Sequence, residues 1–510
     1  MRTRLGIALQ AVLLLFAVSC GNVNQELEQM VPDDATGVVC VDVPQIFEKS
    51  GMIKEGKLTF PDMLKRAMAE TDESVLSQAL ADVAKSGINI ENKIYLFFAN
   101  KTFSTVLLAS VDDVEKMEKM LERRFDSKFA EHDGVKVIKK VTTVCALRDG
   151  ILLLAELGKD VDTEKAAGIA RSIMSRSQKS IFTDNQVKDF FGQGDAICAY
   201  LKHDGMMRML KTATAAGKTV SKTSPLALFA ESGIDAVKVR VDLLDNEVTL
   251  SGDIITDEKS DYSLLMKKVL TGADNSFLKA VPVSMKYVAT ASVKGAELLE
   301  LPQVQQLLKA VKSEPYIGRL DFEGMIESIN GPIAVGASPD DTFEGDWNGV
   351  LVVKSTVPES IISHVSRFAS AMGQAPQIVK GEYLYEYNNK AISMGLKEDA
   401  LYIKFLNYEQ TEGYADENAK ATAFFARSPL GIFAQVGKGS GAAIVTAGLE
   451  SPVVIKAMFK PTDESANPSL LLLKTLCELK PMNKFSMTGE DDASDYTEEG
   501  AIDELHPVAL

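Results

Sequence analysis

The chain is 510 residues long, with 46% hydrophobic and 25% charged residues and a formal net charge of −16. This is an ordinary globular composition, too long for one core, and it implies roughly two to four domains. The acidic balance argues against nucleic acid or anionic lipid as a partner, because both need a basic footprint.

The amino end reads as a targeting segment. Met1-Arg-Thr-Arg-Leu5 carries two positive charges, and the apolar run Leu5 to Val18 is too short to span a bilayer. Small residues follow, Ala17-Val18-Ser19, and then Cys20-Gly21. This resembles the lipobox of bacterial lipoproteins, and the resemblance implies cleavage before Cys20, diacylation of its thiol and acylation of its new amine. Each buried methylene contributes about 0.8 kcal/mol, so several acyl chains hold where one holds marginally. The competing reading is an ordinary secretory signal with a chance cysteine. Residues 1–19 are expected to be removed and 20–30 to serve as a linker from the anchor. Surface-exported lipoproteins of the Bacteroidetes type carry acidic residues almost directly after the cysteine, whereas Gly21-Asn-Val-Asn-Gln25 is uncharged and Glu26 and Glu28 come later. The expected address is the outer membrane, lipid-anchored and facing the periplasm.

Val31-Pro-Asp-Asp-Ala-Thr-Gly-Val-Val-Cys-Val-Asp-Val-Pro44 opens the folded chain and sets a pattern that returns. A strand over Val38 to Val43 follows the turn-forming Pro32-Asp33-Asp34, and Pro44 suits the first turn of a helix. A second copy runs from Ala196 to Leu201 into the helical pattern Asp204 to Leu210. The third copy is the closest: Val281-Pro282 reproduces Val31-Pro32, and Val288 to Val293 takes the place of Val38 to Val43. The fourth, Gly431 to Val436, is the loosest and leads into Gly437-Lys-Gly-Ser-Gly441.

Between openers the order of elements repeats. Strands at Lys93 to Phe98 and Ser104 to Ala109 precede a helix with Val114, Met117, Leu121 and Phe125 on one face. Strands at Pro332 to Gly336 and Gly349 to Val353 precede Thr356-Val-Pro-Glu359, a capping-box pattern, and a helix with Ile361, Val365, Phe368 and Met372 on one face. Each half then carries a hairpin, Val141 to Leu154 around Asp149-Gly150 and Ala391 to Ile403 around Glu398-Asp399. Paired phenylalanines, Phe190-Phe191 and Phe424-Phe425, close each helical stretch before the next opener. Hairpins dominate over βαβ alternation, so the expected class is α+β: two tandem copies of a domain with an antiparallel sheet and packed helices, over 31–280 and 281–489. The tail 490–510 is acidic and expected to be mobile.

Candidate chemistry is sparse. Beyond the anchor, Cys40, Cys145 and Cys198 lie in strand patterns and Cys477 stands apart, which favours buried thiols, with a Cys40–Cys198 disulfide as the alternative. His132, His203, His364 and His506 are isolated, with no metal spacing, and no cofactor is implied. Gly437 to Gly441 lacks the lysine-serine ending of a phosphate loop and places serine one position late for a nucleophile elbow. The stretch Asp340 to Gly349 sets four carboxylates beside Trp347 in a loop, but lacks the late glutamate of a calcium site. Trp347 is left as the candidate ligand contact, able to stack on a sugar or peptide.

The lipobox, the Val-Pro-x-Asp-Ala-Thr opener ending in Val-Asp, and the length together resemble uncharacterised Bacteroidetes lipoproteins grouped as a family of unknown function. The resemblance implies an envelope address and no catalytic residues. The expected function is a non-catalytic binding or scaffolding protein, attached to the membrane through its N-terminal lipid and contacting a protein, peptide or glycan. The alternative is an envelope hydrolase whose site is assembled from distant residues. On the first point, Cys20→Ser should abolish labelling by radioactive palmitate and leave an uncleaved or soluble precursor. Unchanged fractionation would contradict the lipid anchor.

Overall fold

The computed structural model of the chain describes residues 21–478 except 55–56, 71–85, 99–104, 158–160, 176–178, 206, 208–232, 258, 275, 283–284, 314–319, 340–346, 372–373, 380, 388–389, 398–399, 407–424, 426, 437–441 and 452. Residues 1–19, Cys20, Asp340 to Asp346, Glu398-Asp399, Phe424, Gly437 to Gly441, His506 and the acidic tail therefore lie outside the described residues.

The strands of the first half are β1 (Gly37–Val41), the two-residue β2 (Ile53–Lys54) and β3 (Lys57–Leu58), β4 (Ile94–Phe98), β5 (Val106–Ser110), β6 (Ala130–His132), β7 (Val135–Lys140), β8 (Thr143–Arg148), β9 (Ile151–Glu156), β10 (Ile197–Lys202), β11 (Ile234–Leu243) and β12 (Val248–Thr256). The second half supplies β13 (Tyr287–Lys294), β14 (Ile329–Pro339), β15 (Trp347–Ser355), β16 (Gln377–Val379), β17 (Glu382–Tyr387), β18 (Lys390–Lys397), β19 (Ala400–Leu406), β20 (Leu430–Val436), β21 (Ala443–Ser451) and β22 (Val454–Pro461). The described helices are α1 (Gly21–Met30), α2 (Val43–Lys49), α3 (Asp62–Glu70), α4 (Val114–Phe125), α5 (Thr163–Met174), α6 (Asn185–Phe191), α7 (Asp261–Val269), α8 (Gly295–Leu298), α9 (Pro302–Ser313), α10 (Phe322–Glu327), α11 (Pro358–Ala371) and α12 (Pro468–Glu478). Their starts are chemical: Asp42, Asp113, Asp162, Asp184, Ser260 and Asp321 each accept a hydrogen bond from a first-turn N–H with the side chain. The fold is α+β, with antiparallel pairing throughout.

Among the described residues, twenty strands form one sheet. Reading outward from the pairing of β12 with β22, one half runs β12-β11-β10-β1-β4-β5-β9-β8-β7-β6. The other runs β22-β21-β20-β13-β14-β15-β19-β18-β17-β16, the same order of elements along the chain. Opener strands β1 and β10 pair with each other at the heart of the first half, as do β13 and β20 in the second. Starting from Val38 and Val288, the ladders lead through Tyr200 and Lys238 to Asp253, and through Phe433 and Thr446 to Met458. There Asp253 lies opposite Val454, Met458 opposite Thr249, and Ser251 opposite Lys456, so the register of the seam is itself two-fold. In the other direction the same walk equates Leu147, opposite Leu152, with Leu396, opposite Leu401.

Side chains alternate between two faces of the sheet. Face A carries Val39 and Val41, and face B carries Val38 and Cys40. In the first half α2, α3 and α4 bury Phe47, Leu64, Met117 and Leu121 on face A, while α1, α5 and α6 bury Leu27, Ala167, Phe190 and Phe191 on face B. The core of the first half also contains Leu471 and Leu473 of α12, which crosses the seam to pack on α2 and α3. Asn467, just before α12, donates from Nδ2 to the Lys49 carbonyl at 2.6 Å. In return α7 of the first half packs on α8 and β13 of the second, where Thr271 N donates to Ser292 O at 2.9 Å.

Several expectations are corrected in detail. Of the expected linker 20–30, the described part, Gly21–Met30, is the helix α1, whose Leu27 and Met30 are buried and whose Glu28 accepts from Tyr95 Oη at 2.8 Å. The opener strand ends at Val41, because Asp42 caps α2 and Val43 is already helical. Thr356 does not form the expected capping box; its hydroxyl donates to the Ser328 carbonyl at 3.2 Å. Asp149-Gly150 is a two-residue turn with both φ values positive, 50° and 72°, as a type I′ hairpin requires. Because Leu471 completes a core built mostly by the other half, Leu471→Ala should cost about 2–5 kcal/mol and shift a single unfolding transition followed by fluorescence and circular dichroism. Separate transitions for the two halves would contradict the interlock.

Candidate functional site

Trp347 is the first residue of β15, not a loop residue, and it is 52% exposed. It stands on face A, where β14 places Pro339 opposite it and β13 places Tyr287 opposite Ala337. The Tyr287 and Trp347 rings meet with centroids 5.7 Å apart at 46°, a tilted aromatic pair.

The pair edges an uncovered part of the sheet. Along one cross-strand row, Ala447, Ile432, Ala289, Val335, Leu351 and Ile403 face each other on six strands. Ile432 is 55% exposed, Val335 41% and Tyr287 38%. The same row continues over the seam through Ala457, Leu250, Val241 and Ile197 to Val41 and Ile94, where it is buried beneath the first-half helices. No charged side chain belongs to it. An apolar sheet face that leaves the cover of its helices in this way has the chemistry that interaction surfaces share.

The other singled-out residues are not brought together. His203 Nδ1 meets the Ile234 carbonyl at 3.2 Å, His364 Nδ1 meets the Ser360 carbonyl at 2.9 Å, and His132 accepts from Arg171 with its own carbonyl. Among the described residues there is no group of three His, Cys, Asp or Glu side chains placed to hold a metal ion. No described helix is long and apolar enough to cross a membrane. Cys40, Cys145 and Cys198 are free, buried thiols. Cys40 and Cys198 are directly opposed in the β1–β10 ladder. Asp42 N donates to Ala196 O and Lys202 N to Thr36 O, both at 2.8 Å, and alternation along the ladder makes Cys40–Cys198 a hydrogen-bonded pair as well. Their Cβ atoms then stand about 5.5 Å apart, beyond the roughly 3.5–4.5 Å that a disulfide needs.

Residues 27–416 match the family model described as Domain of unknown function (DUF4836). The chain belongs to this family. No curated protein matches it. Among solved structures, the DUF4836 chain is similar to crystal form I of TP0453, at 11% identity over 44% of this chain and 77% of that one, with a TM-score of 0.27. Crystal form III of the same protein matches at 9% identity over 49% and 89%, with a TM-score of 0.28. A C. crescentus beta sliding clamp matches at 9% identity over 83% and 99%, with a TM-score of 0.12. At such scores these similarities carry no argument about the DUF4836 chain.

Burial, chiefly, pushes the thiols of Cys40 and Cys198 up to about 12 and that of Cys145 higher still. Thiolates carry the reactivity, so a disulfide reagent at pH 8 should label none of the three until the chain unfolds. Unfolded cysteine ionises near about 8.5, so the native state keeps protons that the unfolded state has lost, and stability should fall as pH rises from there toward about 12. Rapid labelling of folded protein would contradict this burial.

Proposed function

We propose that the protein is a lipid-anchored, non-catalytic binding protein of the cell envelope, which engages a protein partner through the open apolar face beside Trp347 and Tyr287. The observation that carries this reading is the uncharged row Ile432, Ala289, Val335 and Leu351, half in solvent and edged by an aromatic pair. Large aromatic residues on an apolar surface are the usual anchors of protein interfaces. A glycan site would surround its aromatic platform with hydrogen-bonding side chains, whereas this face offers aliphatic ones.

A hydrolase fits less well. Its nucleophile and base would need mutual reach and tuned ionisation, while the His203 and His364 rings lie on main-chain carbonyls and the thiols are held protonated by burial. The same reading takes the two halves as copies of one domain, supported by the shared strand order and the two-fold register of the seam. With α1 beginning at Gly21, an anchor at Cys20 would join the folded body without a spacer.

A photo-crosslinking amino acid at position 347, in cells, should give one discrete adduct, and Tyr287→Ala should reduce its yield about 30-fold, as loss of an interface hot spot does. Folding of each variant is checked by its melting curve. Absence of any adduct would contradict the proposal. Turnover of an ester, peptide or glycoside that one serine or carboxylate substitution abolishes would promote the hydrolase.

A further inference from the structure

The halves differ at a second place, between α11 and the β17–β18 hairpin. We propose that this groove binds a short peptide with free termini, a site separate from the face around Trp347. Helices α4 and α11 begin at the same distance beyond matched positions of β5 and β15, so they correspond residue for residue. Met117 matches Ile361 and Leu121 matches Val365, all facing the sheet; Glu118, Lys119, Glu122 and Arg123 match Ile362, Ser363, Ser366 and Arg367.

In the first half the gap between helix and hairpin is shut, and the concavity on α4 beside Glu115, Lys119 and Arg123 is lined by no hairpin residue. Leu147 is 3% exposed beneath α4, and Glu118 pairs with Lys136 at 2.5 Å across the gap between helix and hairpin. Glu122 pairs with Lys128 at 2.6 Å beside it. In the second half the register sets Gly381 in the place of Lys136 and Ile362 in the place of Glu118, so the ion pair that closes the gap has no counterpart there. Leu396, the match of Leu147, becomes 38% exposed, and a groove of about 620 Å³ opens. That volume suits a ligand of a few residues.

The lining states the chemistry of the ligand. Ser363, Ser366 and Ser370 run along the helical wall, with Tyr383 and Leu396 on the hairpin wall. Ser366 Oγ accepts from Tyr385 Oη at 2.6 Å and Ser370 Oγ donates to the Ser366 carbonyl at 2.8 Å, while the Ser363 hydroxyl makes no protein hydrogen bond among the described residues. Glu359 stands at one end and Arg367 at the other, and neither has an ion-pair partner among the described residues. Eight helical residues at about 1.5 Å each separate them by about 12 Å. An extended chain advances about 3.3–3.6 Å per residue, so a tripeptide spans that distance. Its ammonium group would meet Glu359, its carboxylate Arg367 in a bidentate pair, its main chain Ser363, and a central apolar side chain Leu396 and Ile362.

The test is calorimetric titration of the full mature chain with Ala-Leu-Ala, N-acetyl-Ala-Leu-Ala and Ala-Leu-Ala-amide. The free peptide should bind saturably at one site, and blocking either terminus should weaken binding about tenfold or more, the effect of losing one charge-assisted hydrogen bond pair. Arg367→Gln should weaken the free peptide by the same factor and leave the amide unchanged, and Glu359→Gln should do the converse with the acetylated peptide. Ser363→Leu, which fills the groove, should abolish binding, while Trp347→Ala should leave it intact whatever becomes of the face around Trp347. Thermal melts establish that each variant is folded. No saturable binding of Ala-Leu-Ala, or equal binding of all three peptides, would overturn the proposal.

Discussion

The pairing of β12 with β22 is the constraint on which the rest depends. A free strand edge offers a row of unpaired N–H and C=O groups to any other chain. Either half alone would end in such an edge, nine residues long in β12 or eight in β22. Pairing them closes both, and the two-fold register decides where everything beyond must lie. It brings α12 over the first-half core and α7 against the second-half opener, so each half finishes the other. The outer edges are handled differently: the sheet ends in β6 and β16, three residues each, too short to template much pairing.

From that frame comes the inequality of the two faces. The first half is buried on both sides because α1, α5 and α6 lie on face B and α2, α3, α4 and α12 on face A. In the second half, Leu278, Val281, Met285 and Phe425 cover face B, while on face A α11, with Met325 of α10, covers the end near Leu401, and α8 and α10 also touch β14. The rows are continuous in register, so what differs between Val41 and Val335 is the cover and not the strand. A sheet built from near-continuous apolar strands needs helices on both faces to hide it, and the second half has described helices enough for only part of face A.

Much of the architecture was legible in the sequence. Opener strands, the Asp149-Gly150 turn and the spacing of Leu147 and Leu396 rest on local chemistry, and local chemistry is what periodicity reports. The helical face of Val114, Met117 and Leu121 was readable for the same reason. The pairing of β1 with β10 and of β12 with β22 was not, since it joins residues 156 to 211 positions apart with no local sign. Residues 21–30 read as a linker because their polar majority hides two apolar side chains, Leu27 and Met30, that dock. Trp347 read as loop because the acidic stretch before it sets no boundary, yet pairing with Pro339 carries the strand one turn of pleat further. The open face was unreadable in principle: Ile333, Val335 and Ala337 look the same in sequence whether a helix covers them or water does.

That last ambiguity bears on function. On a solvated sheet face the ordinary pattern alternates, apolar inward and polar outward. In β14 both sets are apolar or small, with Ala334 and Gly336 toward the packed core and Val335 and Ala337 toward the open side. In β20 likewise Phe433 is buried and Ile432 exposed. A polar residue at position 335 or 432 would cost the folded chain less than one at a core position, because both side chains are about half in solvent. Aliphatic residues on the open side stabilise this chain less than buried ones do and raise its tendency to associate. Their place is explained if a partner completes the layer that α2, α3 and α12 complete in the first half, which makes the contact surface the unfilled counterpart of a core already present in the same molecule.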